Sequence, residues 1–286
     1  MHHRIYSIFK QGSTTYFYSS IFFPKEVKDD VFTLYSFVRI PDNFVDSVPQ
    51  QPEKFYEFKE LYDIALEGKK TRNVVIDSFI ELQERKEFEQ KWIDAFFHSM
   101  EMDLTIDSYE TIEDLKTYLY GSAEVIGLMM AKVMDLPRRS YQYARYLGRA
   151  MQYINFIRDI EEDLQLGRVY FPKEELRQFK IDSLLPTEVA QHKSDFVQFI
   201  RKQIKRYFQW QNKAEKGLGY IPRRYLIPIR TASEMYKWTA NQIFNYPLIV
   251  YERKVKPSVS KIVIGIFKNV LRGHPEISPL IEIPRS

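Results

Sequence analysis

The stretch Gln152-Tyr-Ile-Asn155-Phe-Ile-Arg158-Asp159-Ile-Glu-Glu-Asp163 spaces Gln152, Asn155, Asp159 and Asp163 by three and four residues, so they share one helical stripe. Tyr153, Ile154, Phe156, Ile157 and Ile160 make the other sides apolar, and a helix that is apolar nearly all round is normally buried. Buried carboxylates and amides demand partners, because an unpaired ion in a low dielectric is costly. A hydrogen-bond ladder, salt bridges to Arg158, or hard cations such as Mg²⁺ held by oxygen ligands would each meet that demand.

Working outward, apolar residues recur at three- and four-residue spacing through most of the chain, and sustained strand-like alternation is hard to find. The pattern predicts an all-α fold in a single domain over residues 1–286. Pro24 should open a helix running to about Asp46, followed by helices near 53–66, 73–99, 111–134 and 138–164. Gly167 to Pro172 reads as a turn-rich loop, and later helices are expected near Thr187 and over 196–214, 222–244 and 257–271. No repeat, low-complexity tract or glycine-rich nucleotide loop occurs.

A second acidic helix face lies in Tyr35-Ser-Phe-Val-Arg39-Ile-Pro-Asp42-Asn-Phe-Val-Asp46. Its two aspartates, four residues apart, lie about 40° apart around the axis and roughly 6 Å apart along it. Such a pair can grip a hard cation, although the same spacing also suits a solvated face. Together the two faces suggest opposite walls of a cavity that holds a diphosphate through bridging Mg²⁺. Arg39 and Arg158 could bind phosphate oxygens or simply pair with the neighbouring acids.

Composition narrows the classes. The 42 basic and 38 acidic residues leave a net charge of +4 with the signs interspersed, unlike the concentrated basic stripe of a nucleic-acid binder. With no cysteine, disulfides, thiolate metal sites and a cysteine nucleophile are excluded, which fits a reducing cytoplasm. The start, MHHRIYSIFKQGS, lacks the plan of a signal peptide, and the apolar run Ile262 to Phe267 is far short of a membrane span. A cytoplasmic location is expected, with peripheral membrane contact left open. Oligomeric state is not legible.

These motifs resemble the squalene/phytoene synthases, including bacterial dehydrosqualene synthases, from about Ser13 to Lys256. The matching stretches are Tyr18-Ser-Ser-Ile-Phe-Phe-Pro24 with Val31 to Tyr35, Arg39 to Asp46, Met102-Asp103-Leu104, Tyr118 to Ala123 through Gly127, and Gly148 to Pro172 ending Gly167-Arg-Val-Tyr-Phe-Pro172. The resemblance implies a helical isoprenoid-synthase fold with a central cavity. It implies that Asp42, Asp46, Asn155, Asp159 and Asp163 surround two or three Mg²⁺ ions. By the same resemblance Tyr35, Arg39, Gln152, Arg158 and Tyr246 contact diphosphate or the reacting carbons, and Ser13, Thr14 and Thr15 form a flap over the phosphates. The catalytic set is then Tyr35, Arg39, Asp42, Asp46, Asp159 and Asp163. Departures are Tyr16 for phenylalanine, Gly12 where histidine can stand, Asn43 for an acidic residue, and Glu124 for glycine. Glu124 would be costly beside a hydrocarbon tunnel unless it is paired or points outward.

The implied reaction joins two isoprenyl diphosphates head to head through a cyclopropylcarbinyl diphosphate. Tyr35, Tyr118, Tyr120 and Phe37 are candidates to shelter the carbocations. The Gly-Arg-Val-Tyr-Phe-Pro ending and the lack of a nucleotide motif favour phytoene from two C20 substrates without NADPH. Squalene or dehydrosqualene from two C15 substrates is the alternative. A terpene cyclase or head-to-tail prenyltransferase fits the Gln-x-x-Asn-x-x-Arg-Asp order poorly, and a non-catalytic scaffold fits the retained aspartates poorly. The basic stretch Lys254 to Arg272 could rest on anionic lipid or pack as a last helix on the core.

Overall fold

The computed structural model describes residues 2–12, 20 and 23–275, which form helices and turns. Among these residues the one bridge of strand type joins Ser108 to Val169, outside any strand. The chain runs through α1 (His3–Gly12), α2 (Lys25–Val45), α3 (Pro52–Leu66), α4 (Val74–Lys86), α5 (Gln90–Thr105) and α6 (Ile112–Leu119). A π-helical turn, Tyr120–Glu124, leads into α7 (Val125–Val133), followed by α8 (Tyr141–Arg158), α9 (Ile160–Gln165), α10 (Lys173–Gln178) and α11 (Pro186–Gln191). The last three are α12 (Lys193–Glu215), α13 (Arg223–Asn245) and α14 (Val259–Leu271).

Local chemistry explains most helix starts. Pro24, Pro172 and Pro222 sit at N-caps and Pro52 and Pro186 at first helical positions, where a missing N–H costs nothing. Thr111 and Asp114 close a reciprocal capping box on α6, and the Asn73 side chain accepts from the Val75 amide at 3.1 Å. Two helices expected to be continuous are broken. The segment 73–99 divides at Glu87, which takes a left-handed conformation with φ 51° and caps α4. The segment 138–164 divides at Asp159, with φ −105° and ψ 21°. Helices α1 and α10 lie where none was expected.

Two apolar clusters fill the interior. One joins α1 to α5 and α7, centred on Phe37, whose ring stacks on Phe79 at 3.5 Å between centroids. The other joins α6, α8 and α10 to α13 around Tyr153, Phe196, Phe199 and Tyr207. Between them runs a cavity of about 330 Å³ walled by α2, α5, α7, α8 and α13.

Glycine sets how closely two of those walls approach. A Cβ on Gly148 of α8 would lie 2.3 Å from the Ala123 carbonyl oxygen, and one on Gly127 of α7 would lie 2.4 Å from the Ala144 carbonyl oxygen. The π turn and α7 therefore meet α8 backbone to backbone at two places. Gly148→Ala should lower stability by about 1–3 kcal/mol, the range for overpacking. Thermal denaturation should show a lower Tm without loss of helix content.

Candidate active site

One end of the cavity is polar. Tyr35, Arg39 and Asp42 reach it from α2, and Gln152 and Asn155 reach it from α8. Tyr35, Arg39, Asp42 and Asp46 recur at four, three and four residues, so the helical repeat places all of them on one stripe. Arg39 donates to Asp42. The Asp42 side chain is 31% exposed, and that surface opens into the cavity. Burial, and then the charge of Asp46, raise its carboxyl from 3.8 to about 7 against the pull of Arg39. Burial also keeps the Tyr35 hydroxyl protonated, up to about 12.

Beyond Asn155, at the end of α8 and outside the cavity lining, Arg158 pairs with Asp159, with Nε 2.8 Å from Oδ1, and Lys254 approaches the same carboxylate at 3.3 Å; these three residues line a smaller pocket of their own. Although the helix is interrupted at Asp159, its amide still donates to the Asn155 carbonyl at 2.8 Å. Asp163 is raised well above the usual carboxylate range, first by burial and then by Asp159 and Asp46. The charges of the two acidic faces therefore act on each other across the site.

Residues that helical spacing did not single out hold this arrangement. Arg168, 4% exposed, donates to Asp46 Oδ1 at 2.7 Å and to the Val45 carbonyl at 2.6 Å, capping the end of α2 from 123 residues away. It lies 3.7 Å from Asp103, which accepts from the Tyr118 hydroxyl at 2.8 Å and the Tyr170 hydroxyl at 2.6 Å. Arg168 and Tyr170 belong to the Gly167 to Pro172 loop, and Asp103 to the Met-Asp-Leu stretch. Their signal was a charged or phenolic group inside an apolar run. Tyr236 of α13 also lines the polar end, and its hydroxyl acts electrostatically on both Tyr35 and Arg158.

Some expectations take a different form. Phe37 is core, and Tyr118 is engaged with Asp103; neither they nor Tyr120 line the cavity. Its aromatic lining among the described residues comes from Phe9, Phe23, Tyr35, Phe96, Tyr143 and Tyr236. Tyr246 is 46% exposed, outside the cavity lining, with its hydroxyl on Glu252. Ser13, Thr14, Thr15 and Tyr16 lie outside the described residues. Asn43 is exposed on the outer side of α2. Gly12 meets the Tyr35 hydroxyl, which stands 2.2 Å from where a Cβ would be. Glu124 is fully buried and paired, accepting from Arg145 Nε at 2.8 Å and Arg149 Nε at 2.6 Å, and it does not line the cavity.

The donor chemistry fits a hard divalent cation. Asn155 Oδ1 is buried with no hydrogen-bond partner, beside carboxylates whose burial and mutual repulsion an added positive charge would relieve. Among the described residues no three of the acidic or histidine side chains converge on one ion-sized point. Asp42, Asp46 and Asp159 are instead paired with Arg39, Arg168 and Arg158.

Residues 9–261 match the squalene/phytoene synthase family. A chloroplastic phytoene synthase of Daucus carota is 33% identical over 175 residues, 56% of this chain and 43% of that protein. The matched part thus spans less than half of the carrot protein. The 15-cis-phytoene synthase of Synechococcus elongatus is 27% identical over 241 residues, 78% of this chain and 77% of that one. A dehydrosqualene synthase crystallised with a ligand superposes with a TM-score of 0.83 at 21% identity, covering 94% of each chain, which establishes the fold.

The raised carboxyls make stability depend on pH. Asp42 binds its proton more tightly folded than unfolded, so stability falls as pH rises from 3.8 towards 7. The metal-free protein should melt lower at about pH 7.5 than at about pH 5, and Mg²⁺ with inorganic diphosphate should raise the Tm more at the higher pH. Differential scanning calorimetry across that range checks both signs.

Proposed function

This chain belongs to the squalene/phytoene synthase family, and from that premise we propose that it is a prenyltransferase condensing two isoprenyl diphosphates head to head. We propose two geranylgeranyl diphosphates as substrates and phytoene as product. The observation that carries the reading is a cavity apolar along most of its length and polar at one end. Val31, Leu34, Met130, Leu147 and Ile229 line it away from Tyr35, Arg39, Asp42, Gln152 and Asn155. Such a shape suits a long hydrocarbon with an anionic head. The carrot and cyanobacterial relatives, both phytoene synthases by name, support the C20 choice.

Two or three Mg²⁺ ions bound by Asp42, Asp46, Asn155, Asp159 and Asp163 would supply Lewis-acid stabilisation of a departing diphosphate. Opening the arginine–aspartate pairs releases the guanidinium groups of Arg39 and Arg158 towards diphosphate oxygens, which they can bind bidentately. Tyr35, kept neutral by burial, can donate a hydrogen bond to an anionic oxygen. The apolar walls exclude water, so an allylic cation formed there survives until the double bond of the second substrate attacks it; closing the cyclopropane ring expels one proton, which the released diphosphate can accept, and gives a cyclopropylcarbinyl diphosphate. Tyr35, Tyr143 and Tyr236 offer ring faces towards positive charge. Tyr246, Ser13, Thr14 and Thr15 complete the proposed diphosphate contacts.

Purified protein incubated with C20 or C15 diphosphates and Mg²⁺, with and without NADPH, should release a C40 hydrocarbon from the C20 substrate alone. A C30 product would move the reading to squalene or dehydrosqualene according to its NADPH dependence, and no hydrocarbon from folded protein would sink it. Asp159→Asn should lower turnover roughly 100-fold or more while circular dichroism shows unchanged helix content. A fully active variant would contradict the metal assignment.

A further inference from the structure

Helix α14 buries Ile262, Gly265, Ile266 and Asn269 against α13, where Gly265 lies against Met235 and Thr231. Its opposite face exposes Val259, Val263, Ile264, Phe267 and Leu271, with Ile264 55%, Phe267 66% and Leu271 86% exposed. At the helical repeat these side chains fill an arc of about 140°. Within that arc the sole polar residue is Ser260. A helix on a protein surface ordinarily turns charged and polar residues to the solvent. Here the solvent-facing side is the apolar one.

Charge is distributed to match. Lys261, Lys268 and Arg272 border one edge of the arc, and no Asp or Glu occurs from Arg253 to Pro275. Arg272 is paired with Glu234 at 3.0 Å and Lys261 lies over the Trp238 ring at 5.0 Å, so both are anchored at the edge of the face. The helix also sits beside the apolar end of the cavity. Just past it, His274 Nε2 lies 2.7 Å from the carbonyl oxygen of Ile221, a residue that lines the cavity far from Asp42.

We propose that this face of α14 docks on the surface of a phospholipid bilayer carrying anionic headgroups. The apolar arc enters the interface while Lys261 and Lys268 meet the headgroups, and the apolar end of the cavity is brought to the membrane. No helix of the described residues is long and apolar enough to cross a membrane, so the contact is one of lying on the surface. A second copy of the chain fits less well. The helix is about 20 Å long and presents a strip about 10 Å wide, several-fold below the about 800 Å² per partner of a stable interface. The docking itself does not depend on the proposed chemistry, and it is read without substrate.

Full-length protein is mixed with phosphatidylcholine vesicles, or with vesicles in which about 30% of the lipid is phosphatidylglycerol, and sedimented. The protein should pellet with the anionic vesicles, and the binding should weaken between about 0.1 M and about 1 M salt. Phe267→Ser with Leu271→Ser should weaken binding roughly tenfold or more, and Lys268→Glu should weaken it on anionic vesicles. Both variants should keep native circular dichroism and the unmodified protein's Tm. Three results would overturn the proposal: no pelleting, equal binding by the serine variant, or a dimer in sedimentation velocity that the serine variant converts to monomer.

Discussion

Taking a carboxylate out of water is expensive unless cations or hydrogen-bond donors meet it, and this chain brings Asp42, Asp46, Asp103, Asp159 and Asp163 within electrostatic reach of one another inside a helical bundle. Arg168 bears the main compensation. It is itself nearly buried, it joins the end of α2 to the Gly167 to Pro172 loop, and it stands between Asp46 and Asp103. Tyr118 and Tyr170 complete the hydrogen bonding of Asp103. Arg39 answers Asp42, and Arg158 and Lys254 answer Asp159. The result is a folded state in which Asp42, Asp46, Asp103 and Asp159 each have a cationic neighbour, and in which Asp42 and Asp163 still hold their protons more tightly than a free carboxyl.

That residual imbalance separates the two kinds of arginine. Arg168 is enclosed and caps a backbone carbonyl, so removing it would cost the fold as well as the site. Arg39 and Arg158 pair with acids three residues and one residue away, on or beside their own helices. Such short-range partners can be exchanged without moving a helix. The break at Asp159, where the backbone leaves helical geometry for one residue, leaves its carboxylate between Arg158 and Lys254 rather than committed to α8 or α9.

The parts of this architecture that depend on local geometry were legible in the sequence. The helical repeat placed Asp42 and Asp46 on one face and Gln152, Asn155, Asp159 and Asp163 on another stripe, and it gave the all-α class, whereas Tyr35 came only from the family resemblance. Proline marked several helix starts. What escaped was set by contacts between distant segments. The link between Arg168 and Asp46 spans 122 positions, and those from Glu124 to Arg145 and Arg149 cross between helices. Glu87 ends a helix without glycine or proline to mark it. Phe37 follows the polar stripe in sequence but points into a nest of other rings, because a helix side chain's environment depends on what packs against that face. Glu124 looked out of place as a single residue and becomes ordinary once its two arginines are seen.

The close meeting of α7 and its preceding turn with α8 also fixes what can vary in the cavity. Where Gly127 and Gly148 press against opposing carbonyls, the wall is main chain, and any added atom can only force the helices apart. The girth of the channel is thereby tied to the backbone. Its depth is set elsewhere, by side chains such as Met130, Met134, Ile221 and Ile229, which can be exchanged for larger or smaller ones without moving a helix. A lineage built on this scaffold could therefore drift in the depth of its cavity while keeping the width constant.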